Sequence, residues 1–582
     1  MKRILAYLKP YIFAMSIGLC IKITATLAEL AIPRIMSHII DNVVPLSSVR
    51  LIVIWGCVML VCAGAAFALN VTANRMASKV ARDCAESVRR DLFRKTLHLS
   101  AAQVDEFTIP SLESRLTTDT YNIHHFINMI QRLGVRAPIM LVGGIAITLS
   151  LDPVLSLVMV ATLPLIVLAV MRVSKKGVPL YVLVQKKVDK MIGVVREDVQ
   201  GVRVIKALSK GEYERERYDK TNAELSDTER RAGTTMALTN PLMNLFVNLG
   251  LVGVIAIGAI RVGRELSSAG SIIAFIQYFN LVSMAMMSVT RMFVMYTKSS
   301  ASAKRIAQVL DCREEITRQS GERIAELSDG ESERGDRDAF VEFRHVSFSY
   351  KKAKDDICDI SFSLRRGETL GVIGATGSGK TTLVSLLMRF YDVDSGSILI
   401  NGRDVREYGA DELHSLFGVA LQNDFLYNAT IRENIDFGRG LSQEDIVRAA
   451  KMAQADEFIS AFPDGYEHEI ASKGTNVSGG QKQRILLSRA LAGRPEILVL
   501  DDSSSALDYK TDAALRRAIA QSDHVSTTIV IAQRVSSIMS ADLIIVLDEG
   551  RIIGIGSHEE LIKSCDVYRE ISDSQLGGAV LE

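Results

Sequence analysis

Eight residues in the middle of the chain, Gly374, Ala375, Thr376, Gly377, Ser378, Gly379, Lys380 and Thr381, have the types and spacing that cradle a chain of phosphates. An apolar strand-like run, Thr369–Ile373, precedes them, and a helix-forming stretch opens at Thr382. The glycines let backbone N–H groups turn inward on an anion. Lys380 can reach β- and γ-phosphates, and the Thr381 hydroxyl can ligate Mg²⁺. Far downstream, Glu496–Asp502 reads EILVLDD, an apolar strand that ends in carboxylates. Asp501 can hold Mg²⁺ there. The next position, Asp502, is where a base that polarises an attacking water belongs. The chemistry this points to is Mg²⁺-assisted ATP hydrolysis.

The elements around these residues divide the chain. From Phe340 onward, short apolar strands alternate with helical stretches, the pattern of an α/β domain, taken as 340–582. Residues 311–339 are dense in Glu, Asp, Arg, Ser and Gly and read as a linker. Upstream the chain is unlike either. Leu51–Asn74, Val154–Met171, Leu242–Ile260 and Leu266–Thr290 carry no charge. Each is long enough to cross a bilayer. With two further spans the sequence predicts six membrane helices, about 11–32, 51–74, 128–151, 154–172, 241–260 and 267–295, in a domain of residues 1–310. The basic start, MKRILAYLKPYIF, reads as a short interfacial helix rather than a signal peptide.

The connections after the second and fourth spans are long and rich in Lys and Arg, which places them, with both termini, on the cytoplasmic side. Arg261 and Arg264 run against that pattern. If helical, about 25 residues out and back reach roughly 35–40 Å below the bilayer. Lys22 and Glu29 share one face of the first span, and Arg132 and Arg136 one face of the third. Such charges either line a wet pathway or form ion pairs and snorkel at helix ends. The sixth span holds Met284, Met286, Met287, Met292 and Met295, suited to ordinary packing or to an adaptable apolar pocket. A net charge of +1 gives no sign of nucleic-acid binding, and no nucleic-acid partner is expected. The seven cysteines are scattered without a C-x-x-C, as small buried hydrophobes would be, and the histidines show no metal-ligand spacing.

Between the phosphate loop and the acidic strand lies Val477-Ser478-Gly479-Gly480-Gln481, followed by KQRILLSRAL. A glycine-rich helix start is an anion site. This SGGQ, with a phosphate loop before it and LVLDD after it, resembles the signature of ATP-binding cassette (ABC) transporters. With six preceding spans and two cytoplasmic arms, the whole chain resembles an exporter-type half-transporter. The resemblance implies a multi-pass protein of a bacterial cytoplasmic membrane that uses ATP and Mg²⁺. It also implies that Ser478, Gly479, Gly480 and Gln481 bind the γ-phosphate held by another subunit's loop. Tyr350 resembles the aromatic residue that stacks on adenine. Gln422 resembles the glutamine that joins Mg²⁺ and water to the membrane arms. Ser505-Ala506-Leu507-Asp508 resembles the loop at the dimer seam, and Gly211–Tyr218 a coupling helix.

The sequence departs from the family where chemistry is concentrated. The catalytic glutamate is here Asp502, and the histidine that senses the γ-phosphate is here Gln533. A base contributes roughly 10²–10⁴-fold only within reach of its water, and glutamine cannot become cationic. Ala471-Ser472-Lys473-Gly474 stands where a Glu-Arg-Gly stretch is usual, which puts the usual contact with the coupling helices in doubt. ATP should therefore bind at this loop and be hydrolysed slowly there. The intact SGGQ would complete a competent site on a homologous partner that carries the glutamate and histidine, as in heterodimeric bacterial multidrug exporters of amphipathic drugs, lipids or peptides. The alternatives are a homodimeric lipid or peptide exporter, an importer with an exporter-like fold, or a regulatory subunit that binds ATP.

Overall fold

The computed structural model describes residues 1–312, 339–350, 355–422, 424–503, 507–522 and 527–576. Most of the linker expected at 311–339, and Ser505 and Ala506 of the expected seam loop, lie outside the described residues. The chain forms two compact units, one of Met1–Leu97 with Pro110–Cys312, the other of His98–Ile109 with Arg313–Glu582.

Six helices of the first unit are long and apolar enough to cross a membrane. The first span is carried by Ile12–His38, the second by Val49–Leu97 and the third by Thr120–Leu151. The fourth, fifth and sixth are carried by Pro153–Gln200, Thr239–Gly263 and Ala269–Leu310. The second and fourth run on as single helices for 49 and 48 residues, more than twice the ~20 residues that hydrocarbon requires. The remainder of each is the helical arm that its polar composition predicts. Small residues make close packing possible: a Cβ on Gly144 would meet Val282 at 2.7 Å, and one on Gly250 would meet Phe279 at 2.6 Å. Arg261 is explained by a partner. Its Nε donates to Asp152 Oδ2 at 2.8 Å, while Asp152 also accepts from the backbone of Val154 and Leu155 and so caps the fourth helix. The positive charge on the wrong side is thus neutralised locally.

Among its described residues the second unit contains twelve strands. In chain order they are β1 (Ala339–Phe348), β2 (Ile357–Arg365), β3 (Thr369–Gly374), β4 (Ser395–Ile400), β5 (Arg403–Asp404) and β6 (Phe417–Ala420). Then follow β7 (Ala429–Thr430), β8 (Glu469–Ile470), β9 (Ile497–Asp501), β10 (Thr527–Ile531), β11 (Leu543–Asp548) and β12 (Arg551–Gly556). An antiparallel sheet has the order β2-β1-β4-β5, and a six-stranded sheet the order β12-β11-β3-β10-β9-β6. Within the second sheet, β11, β3, β10, β9 and β6 are parallel. Every residue of β9 is buried, which is why it reads as an unbroken apolar run. The register aligns Val372 with Ile531 and Ile531 with Asp501. The segments that leave β3, β9 and β10 therefore emerge side by side at one sheet edge, the carboxyl end of parallel strands where such folds bind ligands.

Candidate nucleotide site

The phosphate loop is shaped by two left-handed glycines and closed by a lysine. Gly377 has φ +85° and Gly379 φ +99°, conformations that a side chain would strain. A Cβ on Gly379 would also meet Ile357 at 2.7 Å, whereas at Gly377 it would meet nothing within 4 Å. Lys380 begins the helix Lys380–Leu387, and its ammonium donates to the carbonyls of Gly374 and Ala375 at 2.9 and 2.7 Å. The buried Ser378 hydroxyl has no hydrogen-bond partner among the described residues. A buried, unsatisfied donor beside a helix start fits a phosphate oxygen.

The acidic side of the site is a pair of aspartates at the end of β9. Asp501 is buried, and Oδ2 accepts the Thr381 hydroxyl at 3.0 Å. These two oxygens suit a hard divalent cation, so the donor set fits Mg²⁺. Burial raises the Asp501 carboxyl above the usual carboxylate range, and the neighbouring Asp502 charge adds to this. Burial likewise lowers the Lys380 ammonium, against the pull of Asp501 and Asp502. A buried cluster whose charges resist ionisation is what a site built for a charged ligand looks like.

Asp502 sits differently. Its backbone is left-handed at φ +49°, and its N–H donates to the Ile531 carbonyl at 2.9 Å. One carboxylate oxygen, Oδ2, accepts from two side-chain amides, Gln533 Nε2 at 2.9 Å and Gln422 Nε2 at 3.4 Å. The Asp502 carboxyl too is raised by burial, opposed by Lys380, Arg534 and these amide donors. Gln575 holds the Gln533 segment in place: its amide donates to the Gln533 carbonyl at 2.9 Å and its oxygen accepts from Val535 N–H at 2.8 Å. Gln575 lies beyond any motif and carries no sequence signal of its own.

Tyr350 stands at the other end of the loop. Its hydroxyl donates to Thr382 at 3.3 Å, and its ring meets Phe348 and Tyr391 edge-on, with centroids 4.8 and 5.0 Å apart. Tyr350 is 44% exposed, which leaves room for stacking. Tyr391 in turn donates to Asp105 at 2.7 Å. Asp105 belongs to the short helix Ala101–Phe107, which packs with this unit although it lies in the first cytoplasmic connection of the sequence. A capping box at its start, Ser100 with Gln103, was the legible signal for that helix. Gly211–Tyr218, by contrast, forms the first turns of a helix running to Ala237, preceded by a separate short helix, Val202–Ala207.

Ser478, Gly479, Gly480 and Gln481 form a second place on the same unit, with no hydrogen bond to the phosphate loop among the described residues. Ser478 caps the helix Gly479–Ala492: its Oγ accepts from Gln481 N–H, and Gln481 Oε1 accepts from Ser478 N–H. A Cβ on Gly479 would meet nothing within 4 Å. This chain's own packing thus gives no reason for that glycine. Lys473, in the altered Ala471–Gly474 stretch, is left-handed at φ +63°, and its N–H donates to the Leu426 carbonyl.

Comparison with known proteins agrees with both units. Residues 15–286 match the family described as the ABC transporter transmembrane region, and residues 357–505 the family described as ABC transporter. A Bacillus subtilis (strain 168) ABC transporter ATP-binding protein, YfiB, is 34% identical, with 99% of each chain covered. A Mycobacterium bovis protein named a fatty acid ABC transporter ATP-binding/permease protein is 32% identical, covering 83% of this chain and 75% of its own. A bacterial Atm1-family ABC exporter, solved with ATP bound, superposes with a TM-score of 0.77 at 22% identity, over 98% of this chain and 99% of its own.

Proposed function

This chain belongs to the ABC transporters, joining a transmembrane region to an ATP-binding region, and from that premise we propose that it exports amphipathic small molecules as one half of a heterodimer with unequal ATP sites. The observation that carries the reading is the Asp502 carboxylate, held through one oxygen by Gln533 and Gln422. A general base must present a lone pair to its water. An aspartate one methylene short of the family's glutamate, with an oxygen tied by two neutral amides, is poorly placed to do so. Gln533 supplies a fixed donor where a histidine would be able to carry charge.

In this reading Lys380, Ser378, Thr381 and Asp501 hold ATP and Mg²⁺, while Tyr350 stacks on the base. Closure of the two ATP-binding domains brings Ser478, Gly479 and Gly480 onto the nucleotide of the partner, whose site turns over. The arms pass that closure to the spans. The membrane is the cytoplasmic membrane of a bacterium, and the partner is a homologous half-transporter with a catalytic glutamate and switch histidine. The name of the mycobacterial relative supports an apolar-tailed substrate. The test is the ATPase activity of the purified complex. Asp502→Asn should leave it within about 2-fold, whereas glutamate-to-glutamine at the partner's matching position should lower it at least about 10²-fold. If this chain alone showed robust activity that Asp502→Asn abolished, it would be a homodimeric exporter.

A further inference from the structure

The first, second and third spans share a hydrogen-bonded chain of polar side chains inside the membrane unit. Lys22 is 4% exposed, and its ammonium donates to Asn70 Oδ1 at 2.6 Å and Asn74 Oδ1 at 3.1 Å. The Asn70 amide donates to Glu29 Oε1 at 2.8 Å, and Arg136 Nε donates to Glu29 Oε2 at 3.0 Å. Both Glu29 oxygens are therefore engaged, and Lys22 receives only neutral amide oxygens. Arg132, one turn from Arg136 on the same helix face, has no ion-pair or hydrogen-bond partner among the described residues. Glu29 is the sole carboxylate within the six apolar stretches. The cluster thus sets three cations against one anion.

That excess of charge is costly inside a bilayer. Snorkelling relieves it only for side chains near a helix end, and Lys22 is enclosed. Lys22 lies ten residues into the first helix, about 15 Å along it, within hydrocarbon about 30 Å thick. An anion that neutralises the cluster must be carried to that depth, so it must bring an apolar tail. An apolar surface adjoins the arginines: a Cβ on Gly134, midway between them, would meet Met292 of the sixth span at 3.3 Å.

We propose that this cluster is the headgroup site for an anionic amphiphile, a carboxylate or phosphate on an alkyl chain, and so that the exported substrate is anionic. Arg132 supplies the unpaired positive charge, Lys22, bonded only to neutral amides, adds its charge from behind, and Glu29 holds Arg136 until the anion competes for it. The inference takes its transport meaning from the export reading, but binding is measured without nucleotide, so the two fail separately.

The test uses the full-length protein in phosphatidylcholine nanodiscs, with dodecanoate, dodecyl phosphate and dodecyltrimethylammonium as probes. The anions should bind about 10-fold or more tighter than the cation, the difference expected of one charge-assisted contact. Arg132→Gln should weaken anion binding by a similar factor and leave the cation unchanged. Glu29→Gln should tighten anion binding, whereas a purely structural role would predict weakening. Dodecanoate against dodecyl phosphate separates the two headgroups. Competition by phosphatidylglycerol nanodiscs would identify a lipid as the source. Equal or tighter binding of the cation, or anion binding indifferent to Arg132→Gln, would overturn the proposal.

Discussion

Two corners of the ATP-binding unit, built from similar materials, differ in what they keep. At the start of the helix Gly479–Ala492, the serine cap and glutamine return are complete, and Gly479 leaves open space. At the end of β9, Asp502 and Gln533, which stand where the resemblance implies a glutamate and a histidine, bond each other at 2.9 Å. The first corner is exposed at Ser478 and Gly479, as the proposed contact with a partner's nucleotide requires. The second faces this chain's own phosphate loop and is tied up. Under the proposed heterodimer the two corners of one ATP-binding domain would answer separate demands, because each would serve a different ATP site.

The largest effect should come from breaking the intact corner. In the purified complex, Gly480→Asp places a carboxylate against the partner's γ-phosphate, and ATPase activity should fall at least about 10²-fold, the scale of removing a preorganised anion donor. Activity retained within a few fold would show that this signature serves no turning-over site. Repairing the tied corner should have a smaller effect. Asp502→Glu combined with Gln533→His should raise hydrolysis at this chain's loop by about 10-fold or more, within the range of a positioned base, read by single-turnover kinetics. No gain would mean that other features silence the site.

The smallest effect is on stability. Asp501 has its folded pKa raised by burial, so the ionised form opposes folding. Its cost is present at neutral pH and is relieved as pH falls through the folded value. Asp501→Asn mimics the protonated state and should raise the nucleotide-free melting temperature by about 2–4 °C, the shift that roughly 1 kcal/mol gives in a domain of that size. The gain should shrink as pH falls through the raised folded value. A lower melting temperature at pH 7 would refute the assignment of the burial cost.

The loop and strand shapes at these strand ends were legible in the sequence because those motifs are local. The phosphate loop needs left-handed glycines at fixed spacing, and β9 needs an unbroken apolar run before its aspartates. The six spans were legible for the same reason: a bilayer imposes its length on contiguous residues. What could not be read are contacts between residues far apart in the chain. Tyr391 with Asp105, Asn70 between Lys22 and Glu29, Asp152 with Arg261 and Gln575 around Gln533 are each fixed by how elements pack. Lys22 and Glu29 share a face of one helix, yet Asn70, from another helix, decides what they bond.

The central claim is that this chain's loop retains ATP while its partner's consumes it. The most direct test is to photo-crosslink nucleotide to the complex during steady turnover with 8-azido-ATP, separate the two chains, and identify the nucleotide on each. The account predicts mainly the triphosphate on this chain and mainly the diphosphate on its partner. Equal shares of diphosphate on both chains would contradict it.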